Sequence, residues 1–170
     1  DLLAHVGAFE LDDARALDAA ALDHAYAVAA RVTGRTLAPF HLVGDASTDL
    51  AIVLGTTQLP VPTLSLSLLR PLLADRLLAT IPPSVERIAV LQRPAAHPTR
   101  IPPLLIDVAG AFQHAHRALP RLTPGTLGDV DESAKDALER ILSGTPGTVG
   151  RTHSAPAQQS AVAPPPRVSA

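Results

Sequence analysis

The sequence of 170 residues contains no cysteine, methionine or tryptophan, and aromatic residues make up 2% of it. The lack of cysteine excludes disulfides, thiolate zinc sites, cysteine-ligated iron-sulfur clusters and a thiol nucleophile within this chain. The aromatic residues are Phe9, Tyr26, Phe40 and Phe112, too few and too scattered to form stacking platforms for bases. The core must therefore be built from Leu, Val, Ile and Ala.

The chain also lacks an excess of charge of either sign. Its formal net charge is -2 and 18% of its residues are charged, so neither nucleic acid nor a membrane is expected as a partner. The start of the chain has no basic, apolar signal-peptide pattern, and no apolar run approaches the roughly 20 residues of a membrane helix. We expect a soluble, cytoplasmic location. Because the chain begins at Asp1 and has no methionine, we expect it to be a piece of a longer protein.

Apolar periodicity predicts helices that alternate with short strands. A helical period runs from residue 11 to 32, with Asp12 and Asp13 at its start and Gly34 after its end. Short apolar runs predict strands at 50–54, 63–67 and 87–92. Further helices are predicted from Pro71 to about 81, at 104–119 and at 132–142. Asp131 is the predicted N-cap of the last helix. This order predicts an α/β fold, with a small, mainly parallel sheet flanked by helices.

The connection between the first two predicted strands is unusually short. It has eight residues, GTTQLPVP, whereas a parallel crossover usually takes a dozen or more. Either these strands run antiparallel, or one of them is displaced, or the crossover helix of an ancestral unit has been lost.

The end of the chain differs in composition from the rest. From residue 144 to 170 it is rich in Pro, Ala, Ser and Gln and poor in large apolar residues, which predicts a disordered linker, locally polyproline II at 164–166. A peptide motif for a proline-binding domain is the alternative reading of that segment.

No set of residues has the spacing of a known catalytic or metal site. His114 and His116 are two residues apart on a predicted helix and so do not share a face, and there is no H-E-x-x-H, G-x-S-x-G or phosphate-binding glycine motif. The carboxylates at the edges of elements are predicted to be isolated, and either solvated or N-capping a helix: Asp45, Asp49, Asp75 and Glu86. We therefore predict no catalytic, cofactor-binding or metal-binding residue in this chain.

Three blocks together resemble a known family. The matching residues of the first block, residues 32–57, are Thr33, Gly34, Arg35, Pro39, Phe40, Gly44 and Gly55. Those of the second block, residues 66–93, are Arg70, Pro71, Pro82, Ser84, Val85 and the run from 87 to 91. Those of the third block are Leu105, Asp107 and Val108. In order and spacing they resemble the transketolase C-terminal-like domain of pyruvate:ferredoxin (flavodoxin) oxidoreductases. The family has a full helix where this chain has GTTQLPVP, and an acidic, Gly-containing loop where this chain has PAAHPTR.

The shortened form resembles the domains embedded in fungal NADPH-dependent assimilatory sulfite reductase subunits. The resemblance implies a helical lead-in at 1–34, a transketolase C-terminal-like domain at 35–143 and a linker at 144–170. It implies a non-catalytic scaffold that packs against neighbouring domains of the same polypeptide and another subunit, in a parent enzyme of sulfur assimilation that holds FAD, FMN and NADPH. The alternatives are a segment of a 2-oxoacid oxidoreductase, with thiamine diphosphate and iron-sulfur clusters held by other domains, and a free-standing interaction module that uses the first helix.

Overall fold

The structure, a computed structural model, describes residues 19–34, 37–68, 72–94 and 101–151. Helix α1 covers residues 19–33, and the other helices are α2 (Ala74–Thr80), α3 (Pro103–His114) and α4 (Ala134–Leu142). The strands are β1 (Phe40–Val43), β2 (Asp49–Leu54), β3 (Thr63–Leu66), β4 (Arg87–Gln92), β5 (Arg121–Leu127) and β6 (Gly147–Val149). None of the helices in these ranges is long and apolar enough to cross a membrane.

The strands form one sheet in the order β1-β3-β2-β4-β5-β6. The edge strand β1 pairs antiparallel with β3, and the other neighbours are parallel. Helices cover both sides, so the predicted α/β class with a mainly parallel sheet is confirmed.

The two faces of the sheet carry side chains of different size. On one face, Leu50, Ile52, Leu64, Ile88 and Val90 pack with α2 and α3 around Phe112. On the other, the same strands present Ala51, Val53, Ala89 and Leu91 to α4. Each central strand is thus buried on both sides, which is why the strands read as continuous apolar runs.

The eight-residue connection between β2 and β3 contains no helix. The two strands are nevertheless adjacent and parallel, with Ala51 opposite Thr63, so the antiparallel and displaced alternatives are wrong. Leu59 and Val61 of the connection pack on the α4 face, and the Pro62 carbonyl accepts a hydrogen bond of 2.9 Å from the Ala51 N–H. An extended segment takes the place of the usual crossover helix; we call residues 55–62 the strap.

Three strands were missed by the sequence patterns. β1 and β5 lie in segments to which the sequence patterns assign no element, and β6 lies beyond residue 144, where the linker is predicted to begin. Residues 152–170 lie outside the described residues. β5 was missed because it contains Pro124 and Gly125, and both residue types are unfavourable in the interior of a strand.

Two helix ends also differ from the prediction. α3 stops at His114 rather than near 119, because His116 has a φ of 50° and the chain turns back. Ser133 rather than Asp131 is the N-cap of α4, and the Asp131 carboxylate instead accepts hydrogen bonds from the Ser133 backbone N–H (3.0 Å) and hydroxyl (2.6 Å).

Helix α1 lies on the surface of the domain. None of its described residues is buried, and Val32, the last apolar residue of the predicted helical period, is 80% exposed. The helix ends at Gly34, whose φ of 66° fits a left-handed C-terminal stop as predicted. Residues 11–18 of the predicted helix lie outside the described residues.

Candidate functional site

The topology places a candidate crevice at the carboxyl ends of β2 and β4. After β2 the chain crosses on the α4 face to β3, and after β4 it passes to α3 on the opposite face. Ligands of open α/β sheets bind where two neighbouring strands send their connections to opposite sides in this way. This edge is therefore where a ligand of this fold is expected to bind.

The described residues at this edge serve the packing of the chain itself. β2 ends in Gly55, which has a φ of 86° and lets the strap turn back over the sheet. β4 ends in Gln92, whose side-chain Oε1 accepts a hydrogen bond of 3.2 Å from the backbone N–H of Leu104 in the first turn of α3. One of the free N–H groups with which a helix start could hold an anion is thus occupied from within.

An ion pair lies at the opposite, amino edge of the sheet. Asp49 and Arg87 occupy the first positions of neighbouring parallel strands, and the Arg87 Nε and Nη2 atoms each donate to an Asp49 carboxylate oxygen at 2.6 Å. This bidentate pairing raises the pKa of Arg87, with Glu86 adding a smaller effect. Asp49 was predicted to be isolated but is part of an ion pair between two neighbouring strands. This pair can be predicted only when the register of β2 and β4 is known.

The remaining candidate residues do not converge. Asp45 and Glu86 are exposed on loops before β2 and β4, and Asp75 is exposed in the first turn of α2, where it complements the helix dipole. His114 and His116 are exposed around the end of α3. Across the described ranges, no three His, Asp or Glu residues come together as a metal site would require.

A shallow groove lies between α1 and residues 37–39. It is open to solvent, has a volume of about 660 Å³, and is lined mainly by alanines, Leu37 and Pro39, with Tyr26 and Arg31 among them. Asp23, at its edge, makes a bidentate ion pair with Arg76 of α2. The hydrogen bond from Arg76 lowers the pKa of Asp23 and raises that of Arg76. The described residues that line the groove thus do not form the set of free, converging polar groups that marks a small-molecule site.

Arg117 plays a structural part that no sequence pattern indicated. Its guanidinium donates to the carbonyls of Leu78 (2.7 Å) and Ile81 (2.9 Å) at the end of α2. The same group lies 5.5 Å from the centre of the Phe112 ring. One side chain therefore caps α2 and joins it to α3, a contact that only the tertiary structure creates.

The residues that carry the family resemblance also have structural roles. Gly34, Gly44 and Gly55 have positive φ, and Gly44 lies so close to Pro62 that an added Cβ would be 3.3 Å from the Pro62 Cα. Val85 and the residues from 87 to 91 are in the core or in β4. Arg35, Arg70 and Pro71 lie outside the described residues. The described residues of the blocks thus serve the turns and the packing of this domain.

Comparisons with known proteins agree with this distant relationship. The chain is 26% identical over 140 residues to a pyruvate-flavodoxin oxidoreductase from Nostoc sp., a match that covers 73% of this chain and 35% of the relative. No family model matches the chain. The similarity supports an oxidoreductase-related domain, so the resemblance to that family is confirmed at a distant level, whereas the resemblance to sulfite reductase stays a prediction.

Proposed function

We propose that this chain is a non-catalytic assembly domain of a larger oxidoreductase. The proposal rests on how the carboxyl edge of the sheet is occupied by the chain itself. The strap turns over one side of the crevice, and the Gln92 side chain accepts a hydrogen bond from a backbone N–H at the start of α3. Positions that an open α/β sheet normally offers to a ligand here support the packing of the domain. The distant similarity to a pyruvate-flavodoxin oxidoreductase supplies the enzyme class of the parent.

Within that class, the finer hypothesis is a subunit of an NADPH-dependent assimilatory sulfite reductase. In such a cytoplasmic parent, FAD, FMN and NADPH would be bound by neighbouring domains, and this domain would pack against them and against another subunit. The shortened connection between β2 and β3, in which the strap stands in place of a helix, supports this hypothesis.

The second candidate is a segment of a 2-oxoacid oxidoreductase, favoured by the named relative. The parent would then hold thiamine diphosphate and iron-sulfur clusters in other domains. The coding sequence on either side separates the candidates: an NADPH/FAD reductase module supports the first, and a thiamine-diphosphate-binding domain with Cys-rich cluster motifs supports the second.

The third candidate is a free-standing interaction module that acts through α1. The exposure of Val32 and of Val28 on that helix favours it. If the side chains of Val28 and Val32 are inaccessible to solvent in the purified chain with no partner present, this candidate fails.

Direct ligand binding tests the shared premise of a non-catalytic domain. The purified chain is titrated calorimetrically with FMN, FAD, NADPH and thiamine diphosphate, and its melting temperature is followed with each. We expect no saturable heat and no shift, because a ligand that binds the folded state must raise its stability. Stoichiometric binding of any of the four, weakened by Gln92→Ala, would contradict the proposal, and Glu139→Ala on the far side of the domain is the matched control.

A further inference from the structure

The strand β1 is an edge of the sheet, and its hydrogen bonds to β3 show which of its backbone groups point outward. The Ser67 N–H donates a hydrogen bond of 3.0 Å to the Pro39 carbonyl, and these two residues are opposite each other when the β1–β3 register is extended by one position. In an antiparallel pair, residues that exchange such bonds alternate with residues whose N–H and C=O groups point away from the partner strand. The N–H and C=O groups of Phe40 and Leu42 therefore point away from β3.

These outward groups have no partner in the described part of the chain. No backbone hydrogen bond joins Phe40 or Leu42 to a group beyond the β1–β3 pair anywhere in the described ranges. The strand also contains no Asp, Glu, Lys, Arg or Pro, the residue types with which natural edge strands avoid further pairing. Unpaired N–H and C=O groups on a strand edge bind another extended segment, because the ladder of hydrogen bonds can continue. The partner that fits this edge is therefore a strand.

We propose that β1 is a self-association edge, at which β1 of one copy pairs antiparallel with β1 of a second copy. A two-fold axis beside His41 sets Phe40 of each copy opposite Leu42 of the other. Each outward N–H of these two residues then meets an outward C=O of the second copy, so the partial charges of the edge are complementary to themselves. The two sheets become one continuous sheet across the axis.

The side chains of β1 suit the same register. Val43, which is 54% exposed, comes opposite Pro39 of the second copy, and His41 meets its own counterpart between two such apolar pairs. Pro39 has no N–H to donate, but the missing group lies on the side of β3 and is not needed by the second copy. On the other face, Phe40 and Leu42 are half-buried against the core and come side by side across the axis. These matches favour a second copy over a strand of another protein.

The length of β1 sets the strength of the association. The strand has four residues, so the interface is much smaller than a standard interface of roughly 20–30 residues a side. We therefore expect a reversible dimer with a Kd on the order of 0.1–1 mM. A short edge of this kind becomes effective when other parts of an assembly hold two copies together.

Sedimentation equilibrium at about pH 8, from about 10 μM to about 1 mM, tests the proposal. We expect the wild-type chain to dimerise in this range. His41→Lys, at an exposed position, is expected to have a Kd at least about tenfold weaker, because it sets two like charges opposite each other. Thr148→Lys is the matched control, since Thr148 is exposed on β6 at the other edge of the sheet, and it should dimerise like wild type. A wild-type chain that is monomeric throughout overturns the proposal, as does equal dimerisation of both variants.

A mixture of two charge variants tests the register itself. His41→Lys and His41→Glu are each expected to be monomeric alone and to form a mixed dimer when combined, because residue 41 lies opposite itself across the two-fold axis. Loss of folding in either variant cannot produce such a recovery. If the mixture stays as monomeric as its components while wild type dimerises, the copies meet elsewhere and the proposal is overturned.

Crosslinking gives a further readout. Because the chain has no cysteine, a single engineered thiol reports its own surroundings. Opposite residues at a non-hydrogen-bonded position of an antiparallel pair have Cα atoms about 4.5 Å apart, which is within the range of a disulfide. On mild oxidation at high concentration, His41→Cys is expected to form a covalent dimer several-fold faster than Thr148→Cys. Equal rates for the two variants would contradict the proposal.

Discussion

The α2/α3 face of the sheet presents Leu50, Ile52 and Leu64, and two helices cover it. The α4 face presents Ala51 and Ala89, and one helix and the strap cover it. An α-helix with its side chains is about 10–12 Å wide, whereas an extended segment is much thinner and lies close to small residues. The difference suggests that side-chain size on each face decides which kind of crossover the sheet accepts.

The largest expected effect comes from removing volume on the α2/α3 face. Ile52 is fully buried in the central strand, and Ile52→Ala should lower the free energy of unfolding by about 2–5 kcal/mol, because the helices above cannot close over the cavity. Urea denaturation measures the change. Val43→Ala, at a half-exposed edge position, is the control and should cost less than about 0.5 kcal/mol. Similar losses for both variants would show that the α2/α3 face is not tightly packed.

The next effect comes from adding volume on the α4 face. A Cβ on Gly125 would lie 2.7 Å from Leu91 Cδ2 and 2.8 Å from Ile141 Cδ1, so Gly125→Val should cost about 1–3 kcal/mol through overpacking under α4. Gly147→Ala is the matched control, since its nearest contact would be an ordinary 3.6 Å from Ile141 Cγ1. Urea denaturation of both variants is the measurement, and a Gly125→Val chain as stable as Gly147→Ala would contradict the close fit of α4.

A smaller effect tests the strap. Leu59 is half-buried against the α4 cluster, so Leu59→Ala should cost about 1 kcal/mol and loosen the strap without unfolding the sheet. Hydrogen exchange of the Ala51 amide, which is bonded to Pro62, is expected to accelerate more than that of amides in β4. Leu54→Ala, 38% exposed at the end of β2, is the control. An unchanged Ala51 amide would mean that the strap is held by its backbone alone.

The smallest effect concerns pH and the start of α4. The hydrogen bonds from Ser133 lower the pKa of Asp131 below its ordinary value of 3.8, with Arg151 adding to the effect. A lowered pKa in the folded state stabilises the fold above pH 3.8, and this stabilisation is lost as the pH falls through the lowered value. The melting temperatures of wild type and Asp131→Asn should therefore differ at pH 6 and converge near pH 2. A difference that persists at the lower pH would assign the effect to packing.

The sequence predicted the elements whose apolar pattern is regular and missed those that depend on their neighbours. β2, β3 and β4 follow from short apolar runs, and α2 and α4 follow from helical periodicity. β5 could not be found in this way, because its Pro124 and Gly125 are tolerated only through the pairing with β4 and the close approach of Ile141. The helical period of α1 could not indicate that Val32 is exposed, since periodicity shows that a face is apolar but not what covers it.

At the candidate site the sequence predicted no catalytic or ligand-binding residue, and this stays a prediction. The patterns could not indicate the contacts of Gln92, Arg87 and Arg117, because each joins groups at least twelve residues apart in the chain. Such contacts depend on sheet register and helix placement.

Because the strap is short, β2 and β3 are paired strands that lie close together in sequence. Ala51 lies opposite Thr63, whereas many more residues separate Arg87 in β4 from its partner Arg121 in β5. Closing the shorter loop costs roughly 1 kcal/mol less chain entropy. We expect the β2–β3 pair to form early in folding, so that substitutions at Leu64 slow refolding while those at Leu122 mainly speed unfolding. Stopped-flow kinetics of the two variants would reveal whether the shortened crossover makes the β2–β3 pair fold before the rest of this small domain.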